Sequence, residues 1–138
     1  MKKLLLIALL SLSFQASAEQ WLCVTERMTG FHLDKNTNAW EPATFTDRPK
    51  YIISSFPEAG IIRYTVKEHA SSNEFPTCQD YVNKQDEYFI TCQDKYGSSF
   101  LFNKTRNRFQ FSNVIGGFVY PYLKETPPFI SIGLCSSF

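Results

Sequence analysis

Four cysteines constrain this chain more than any other feature, because of the stretch that precedes them. Met1-Lys2-Lys3 leads into an unbroken apolar run over residues 4–10, and Ala16-Ser17-Ala18 then supplies the small-residue site that signal peptidase requires. Residues 1–18 therefore read as a signal peptide, with Glu19 as the first mature residue. The apolar run falls well short of the roughly 20 residues that cross a hydrocarbon core, so a membrane anchor is not expected. In an exported chain the even set Cys23, Cys78, Cys92 and Cys135 predicts two disulfides, since the periplasm or extracellular space makes the bonded state the stable one. There is no C-x-x-C and no histidine at zinc spacing, so neither a metal nor another cofactor is expected.

Connectivity is read as nested. Cys78 with Cys92 would close a short loop, and Cys23 with Cys135 would tie the two ends of the domain together. An internal repeat, described next, also permits Cys23 with Cys78 and Cys92 with Cys135.

Residues 19–138 amount to one ordinary domain. No linker divides them, and proline and glycine are scattered as turn punctuation. The apolar supply is aromatic: of 13 Phe, 7 Tyr and 2 Trp, only Phe14 lies in the signal. Aromatic residues favour strands. Strand-like runs recur at 21–27, 30–33, 50–54, 61–67, 87–92, 98–102, 108–112, 117–122 and 129–134, and several alternate, as in Tyr88, Ile90, Cys92 or Phe118, Tyr120, Tyr122. The best helix candidate is one or two turns over 77–82, after Pro76. The stretch 23–40 aligns without gaps on 92–109, with Cys23 over Cys92, Phe31 over Phe100, Lys35 over Lys104 and Asn38 over Asn107. The shared unit reads as a β-hairpin. Phe31 and Leu33, or Phe100 and Phe102, face the core, and Asp34 to Asn38 or Asn103 to Asn107 reverse the chain, with asparagine tolerating a positive φ at the last position. The expected fold is all-β, a small antiparallel barrel or sandwich built from two related hairpin-led halves.

The two hairpins, together with the closing run Pro127-Pro128-Phe129-Ile130-Ser131-Ile132-Gly133-Leu134-Cys135, resemble small exported all-β proteins of bacteria and their phages. The resemblance implies a fold and an exported location, and no particular chemistry.

Charge excludes little. Removing Lys2 and Lys3 from 14 basic residues leaves 12 against 13 acidic ones, a net of −1, so no nucleic-acid partner is expected. Of the two histidines, His32 points away from Phe31 and Leu33, and His69 sits in a polar stretch. Neither has a nucleophile context such as G-x-S-x-G. Asp80, Asp86, Glu87 and Asp94 are close in sequence but are read as solvated loop charges rather than a glycosidase pair. Asn103-Lys104-Thr105 is a glycosylation sequon, which matters only in a eukaryotic secretory protein. Lys35, Lys104, Arg106 and Arg108 at the hairpin tips are the candidate binding residues, suited to gripping carboxylate or phosphate. Ile130, Ile132 and Leu134 alternate toward a terminal Phe138, as in the closing strand of an outer-membrane barrel, but the strands are mostly too short for one, and no stable membrane insertion is expected.

The functional expectation is a non-enzymatic binding or inhibitor protein of the cell envelope whose partner is another protein, an envelope or lytic enzyme, met by loops on a rigid β scaffold. The alternatives are a small envelope hydrolase acting on glycan or peptide, and an outer-membrane or envelope structural component.

Overall fold

A run in which every second residue is apolar buries one face of a pleated strand and leaves the other to solvent. Such runs dominate the computed structural model, which describes residues 18–138 apart from 76, 115, 120, 124 and 125. The expected signal sequence lies, but for Ala18, outside the described residues. The strands are β1 (Gln20–Leu33), β2 (Trp40–Phe45), β3 (Lys50–Glu58), β4 (Ile61–Glu68), β5 (Glu74–Phe75), β6 (Thr77–Val82), β7 (Tyr88–Gln93), β8 (Ser99–Asn103), β9 (Arg108–Asn113) and β10 (Phe129–Ser137). They form one antiparallel sheet in the order β5-β4-β3-β1-β10-β9-β8-β7-β6, with β2 added to β1. No helix among the described residues is long and apolar enough to cross a membrane.

The sheet curls until its two ends meet, giving a nearly closed barrel. Near β6 the ends face each other without a backbone ladder, and side chains bridge the seam. The hydroxyls of Tyr64 on β4 and Tyr88 on β7 lie 3.1 Å apart, and the Tyr88 hydroxyl donates to Asp80 Oδ2 on β6. Inside, Phe100, Phe102, Ile53, Ile90 and Val66 are fully buried. Phe100 stacks on Phe109 at 5.2 Å, and Tyr51 meets Phe100 edge-on at 5.2 Å. Such ring pairs add to the area that each side chain buries.

Both disulfides are cross-strand and nested. Cys23 sits opposite Cys135 across β1 and β10, and Cys78 opposite Cys92 across β6 and β7. The first joins the N- and C-terminal strands in the middle of the sheet; the second ties the edge strand β6 to its neighbour. At the β1–β10 ladder a bulge between Thr25 and Arg27 leaves Glu26 unpaired. Gly133 lies opposite this bulge because nothing larger fits. A Cβ there would stand 2.0 Å from the Val24 carbonyl oxygen and 2.7 Å from the Phe109 ring.

Four sequence expectations are corrected. Residues 117–122 are not a strand: Gly117, Phe118 and Val119 form a turn, and Pro121–Leu123 is a 3-10 turn, while Tyr120 is outside the described residues. Gly116 explains the break, since it packs against the Thr126 carbonyl where a Cβ would come within 2.5 Å, and Pro121 presets the φ of a turn. Residues 77–82 are strand β6 rather than helix, because pairing with β7 and the Cys78–Cys92 bond outweigh a weak local preference. The runs 21–27 and 30–33 are one continuous strand, bent at the bulge. Finally, Phe31 is half exposed and Leu33 only partly buried, whereas their counterparts Phe100 and Phe102 are fully buried.

That last difference follows from topology. Pairing of β1 with β10 stops at Gly30 opposite Phe129, but pairing of β1 with β2 continues to Leu33 opposite Trp40. The β1–β2 hairpin thus projects past the barrel as an arm, while the β8–β9 hairpin is part of the wall. The aligned turns themselves match closely. Asn38 and Asn107 take φ values of 55° and 54°. Asp34 Oδ1 accepts from the backbone N–H of Thr37 at 3.1 Å, and Asn103 Oδ1 from that of the aligned Arg106 at 3.0 Å.

Candidate functional site

The barrel has two ends, and the predicted binding residues divide between them. Arg108 pairs with Leu134, and Leu134 with Val24 near the start of β1, so the β8–β9 turn stands beside the N-terminus of the domain. Lys35 lies on the tip of the arm, beyond the opposite end. Lys35 therefore does not join Lys104, Arg106 and Arg108 in one site.

At the turn end Lys104 and Arg106 are engaged within the fold. Lys104 Nζ is 2.5 Å from Glu19 Oε2 and 4.8 Å from the Trp21 ring centroid, tying the segment that leads into β1 to the β8–β9 turn. The Lys104 amide donates to the Tyr88 carbonyl at 2.8 Å, and the Tyr88 amide to Thr105 Oγ1 at 2.9 Å. Arg106 Nε donates to Glu87 Oε1. That hydrogen bond is the main cause holding the Glu87 carboxyl below its usual value, helped by the Asn83 amide. Arg108 has no ion-pair partner among the described residues.

The clustered carboxylates are also dispersed. Asp80 accepts from Tyr88, and Glu87 from Arg106. Asp94 is at the other end, where its Oδ1 caps the β7–β8 turn by accepting from the amides of Tyr96 at 2.8 Å and Ser98 at 2.9 Å. His32 and His69 are both exposed. No group of three or more His, Cys, Asp or Glu among the described residues is arranged to hold a metal ion.

The arm end is concave. An apolar groove of about 650 Å³ runs between the arm, through Phe31, Trp40 and Pro42, and the β9–β10 connection, through Val114, Phe118 and Pro128. Trp40 and Phe118 close its outer side edge to face at 6.3 Å. Next to it, and sharing Asn113 and Phe129, is the mouth of the barrel, a depression of about 1140 Å³. Rings line the mouth in a continuous chain. Tyr51 meets Phe111 at 5.4 Å, Phe111 meets Phe75 at 5.6 Å and Phe129 at 5.4 Å, and Phe129 meets Phe45 at 6.2 Å. Burial raises the Tyr51 hydroxyl above its usual value, and the charge of Glu68 raises it further, so it stays a neutral donor. Around the mouth the carboxylates Asp47, Glu68, Glu74 and Asp94 outnumber the cations Arg48 and Lys95.

Sequence reasoning missed this end. It counted Phe31 as core and Phe118 as strand. The available signal was the punctuation Gly116-Gly117, Pro121 and Pro127-Pro128, which marks an irregular excursion between two strands. Comparison with protein-family models, with curated proteins and with solved structures finds no match.

Proposed function

We propose that this chain is an exported, non-enzymatic binding protein of the cell envelope that takes a protein partner, such as a lytic enzyme, at its arm end. One observation carries the reading: at one end of a stapled barrel an apolar groove bordered by exposed Phe31 and Phe118 opens beside a mouth with aromatic rings inside and charged residues around it. Exposed apolar surface of this kind is costly to leave in water and marks contact sites. Concave aromatic pockets are where a partner's buried anchor residues contribute most to affinity.

The acidic excess around the mouth selects the partner's chemistry. The segment that enters is apolar or aromatic and is flanked by lysine or arginine, because a flanking carboxylate would be repelled. The basic turn, largely occupied with Glu19 and Glu87, has the supporting role of fixing the scaffold. The two disulfides suit an oxidising compartment, as the export signal requires.

The test immobilises the mature protein and measures capture and inhibition of purified envelope-degrading enzymes. Phe31→Asp and Phe118→Asp, both at exposed positions, should abolish capture while leaving the thermal midpoint unchanged. The double variant Arg106→Glu, Arg108→Glu should retain it. Equal capture by the Phe31 and Phe118 variants would remove the arm end from the reading.

A further inference from the structure

Strand β10 is patterned inside out. Its inward residues are Ser131, Gly133 and Cys135, all small, and its outward residues are Ile130, Ile132 and Leu134, which remain 45%, 46% and 45% exposed. A sheet with one face in water normally shows the reverse. Val24 on β1, opposite Leu134, extends the row and is 38% exposed. β10 runs between β1 and β9 in the middle of the sheet, so its backbone is paired along both edges.

The charges around the row are mostly positive, and they stand on both flanks. On the β1 side the exposed Arg27 lies opposite Ile132, and the exposed Lys50 of β3 lies opposite Val24. On the β9 side Arg108, also exposed, lies opposite Leu134. One line across the sheet thus reads Lys50, Val24, Leu134, Arg108, an apolar pair between two cations about 14 Å apart. None of the three cations has an ion-pair partner among the described residues. The carboxylate beside them is Glu26, turned out by the bulge, which shares with Arg108 a shallow depression of about 390 Å³. The next charges outward offset each other: Lys67 lies opposite Glu74, and Glu58 pairs with Arg63.

We propose that this wall adsorbs to an anionic phospholipid surface. Ile132, Leu134 and Val24 enter the headgroup boundary, and Lys50, Arg27 and Arg108 meet lipid phosphates around them. The size of the patch selects lipid over an acidic protein. The row from Ile130 to Leu134 is about 14 Å long, too little for the roughly 800 Å² that each partner buries in a stable protein interface. A lipid surface needs no such core, because each apolar side chain and each cation contributes on its own. The paired backbone of β10 suits it as well, since no N–H or C=O is left unsatisfied when water is stripped from the row. The protein lies on the bilayer rather than crossing it, and its hold is reversible and weakened by salt.

Co-sedimentation tests this with the mature, disulfide-bonded protein and vesicles of phosphatidylcholine, with or without phosphatidylglycerol. Binding should be at least about tenfold tighter to the vesicles that contain phosphatidylglycerol, and high salt should release it. Lys50→Glu, Arg27→Glu and Arg108→Glu should each weaken it by about tenfold, Ile132→Asp by as much or more, and Glu26→Gln should tighten it by about threefold. Ile130 also lines the arm-end groove, so Ile132 is the position tested. A thermal midpoint for every variant confirms folding, and Lys50→Gln with Arg108→Gln serves where a reversal does not fold. The proposal is overturned by absence of binding to either vesicle, by equal binding to both, or by binding indifferent to the charge reversals. Capture of polyglutamate by a protein that ignores both vesicles would overturn it too, giving the wall to an acidic protein. So would vesicle binding lost in Phe118→Asp but kept in Ile132→Asp, which would move the contact to the arm end. Capture of a partner at the arm end is measured without lipid, so its failure and the failure of vesicle binding are separate results.

Discussion

Two carboxylates report the local design of the hairpins at the scale of single residues. Asp34 is held below its ordinary value of 3.8, first by the Thr37 amide and then by the Asn36 amide, with a smaller contribution from His32. Glu87 is held below 4.5, first by Arg106. A depressed folded value means that the charged form favours the fold. The contribution is therefore present at any pH above the unfolded value and is lost as pH falls through the lower folded one. In a two-dimensional NMR titration both carboxyls should titrate below those ordinary values. Arg106→Ala should move the Glu87 midpoint upward and leave Asp34 unmoved. Arg108→Ala should move neither, because Arg108 stands outside both networks.

Among the elements, β6 depends most on a single covalent bond. It pairs with β7 on one side only, and its other edge faces the seam. Removing the Cys78–Cys92 bond by a double alanine substitution should cost about 3 kcal/mol, and removing Cys23–Cys135 about 5 kcal/mol, because the second closes a far longer loop in the unfolded chain. Urea unfolding of the two double variants checks the order. Native-state hydrogen exchange should separate them further. Loss of Cys78–Cys92 should deprotect β6 and β7 ahead of the rest, whereas loss of Cys23–Cys135 should lower protection throughout, since β1 and β10 lie in the middle of the sheet.

For the whole molecule, closure rests on side chains where the backbone ladder is missing. Tyr88→Phe removes the donor to Asp80 and the partner of Tyr64, and should destabilise by about 1–2 kcal/mol. Burial comes first, and the hydrogen bond to Asp80 second, in raising the Tyr88 phenol well above its ordinary 10.0. A raised value reverses the sign of the carboxylate case. The seam is fully stabilised below pH 10 and loses that support as alkaline pH approaches the raised folded value. Alkaline unfolding monitored by tyrosinate absorbance should begin at lower pH in Tyr64→Phe, which removes one of the two contacts of the phenol.

Much of this architecture is legible along the chain. Alternation at Tyr88, Ile90 and Cys92 identifies a half-buried strand from period alone. The turns at Asn38 and Asn107 are legible because few residues other than glycine accept a φ near 55°. Four cysteines with an export signal predict two bonds, but their order in the sequence leaves more than one pairing open. Period two separates the faces of a strand without saying which face is inside, and so Ile130, Ile132 and Leu134 reveal their outward direction only once Ser131 and Gly133 are seen to fit the crowded interior. Nor does spacing show how far a neighbouring strand extends. Because β10 stops at Phe129, Phe31 leaves the core, the arm projects, and the groove opens. The sequence by itself determined strands, turns and an oxidised domain, since each depends on a few adjacent residues. Only the tertiary structure decided the concave end, the closed seam and the exposed wall, since each depends on which distant strands meet and where their pairing ends.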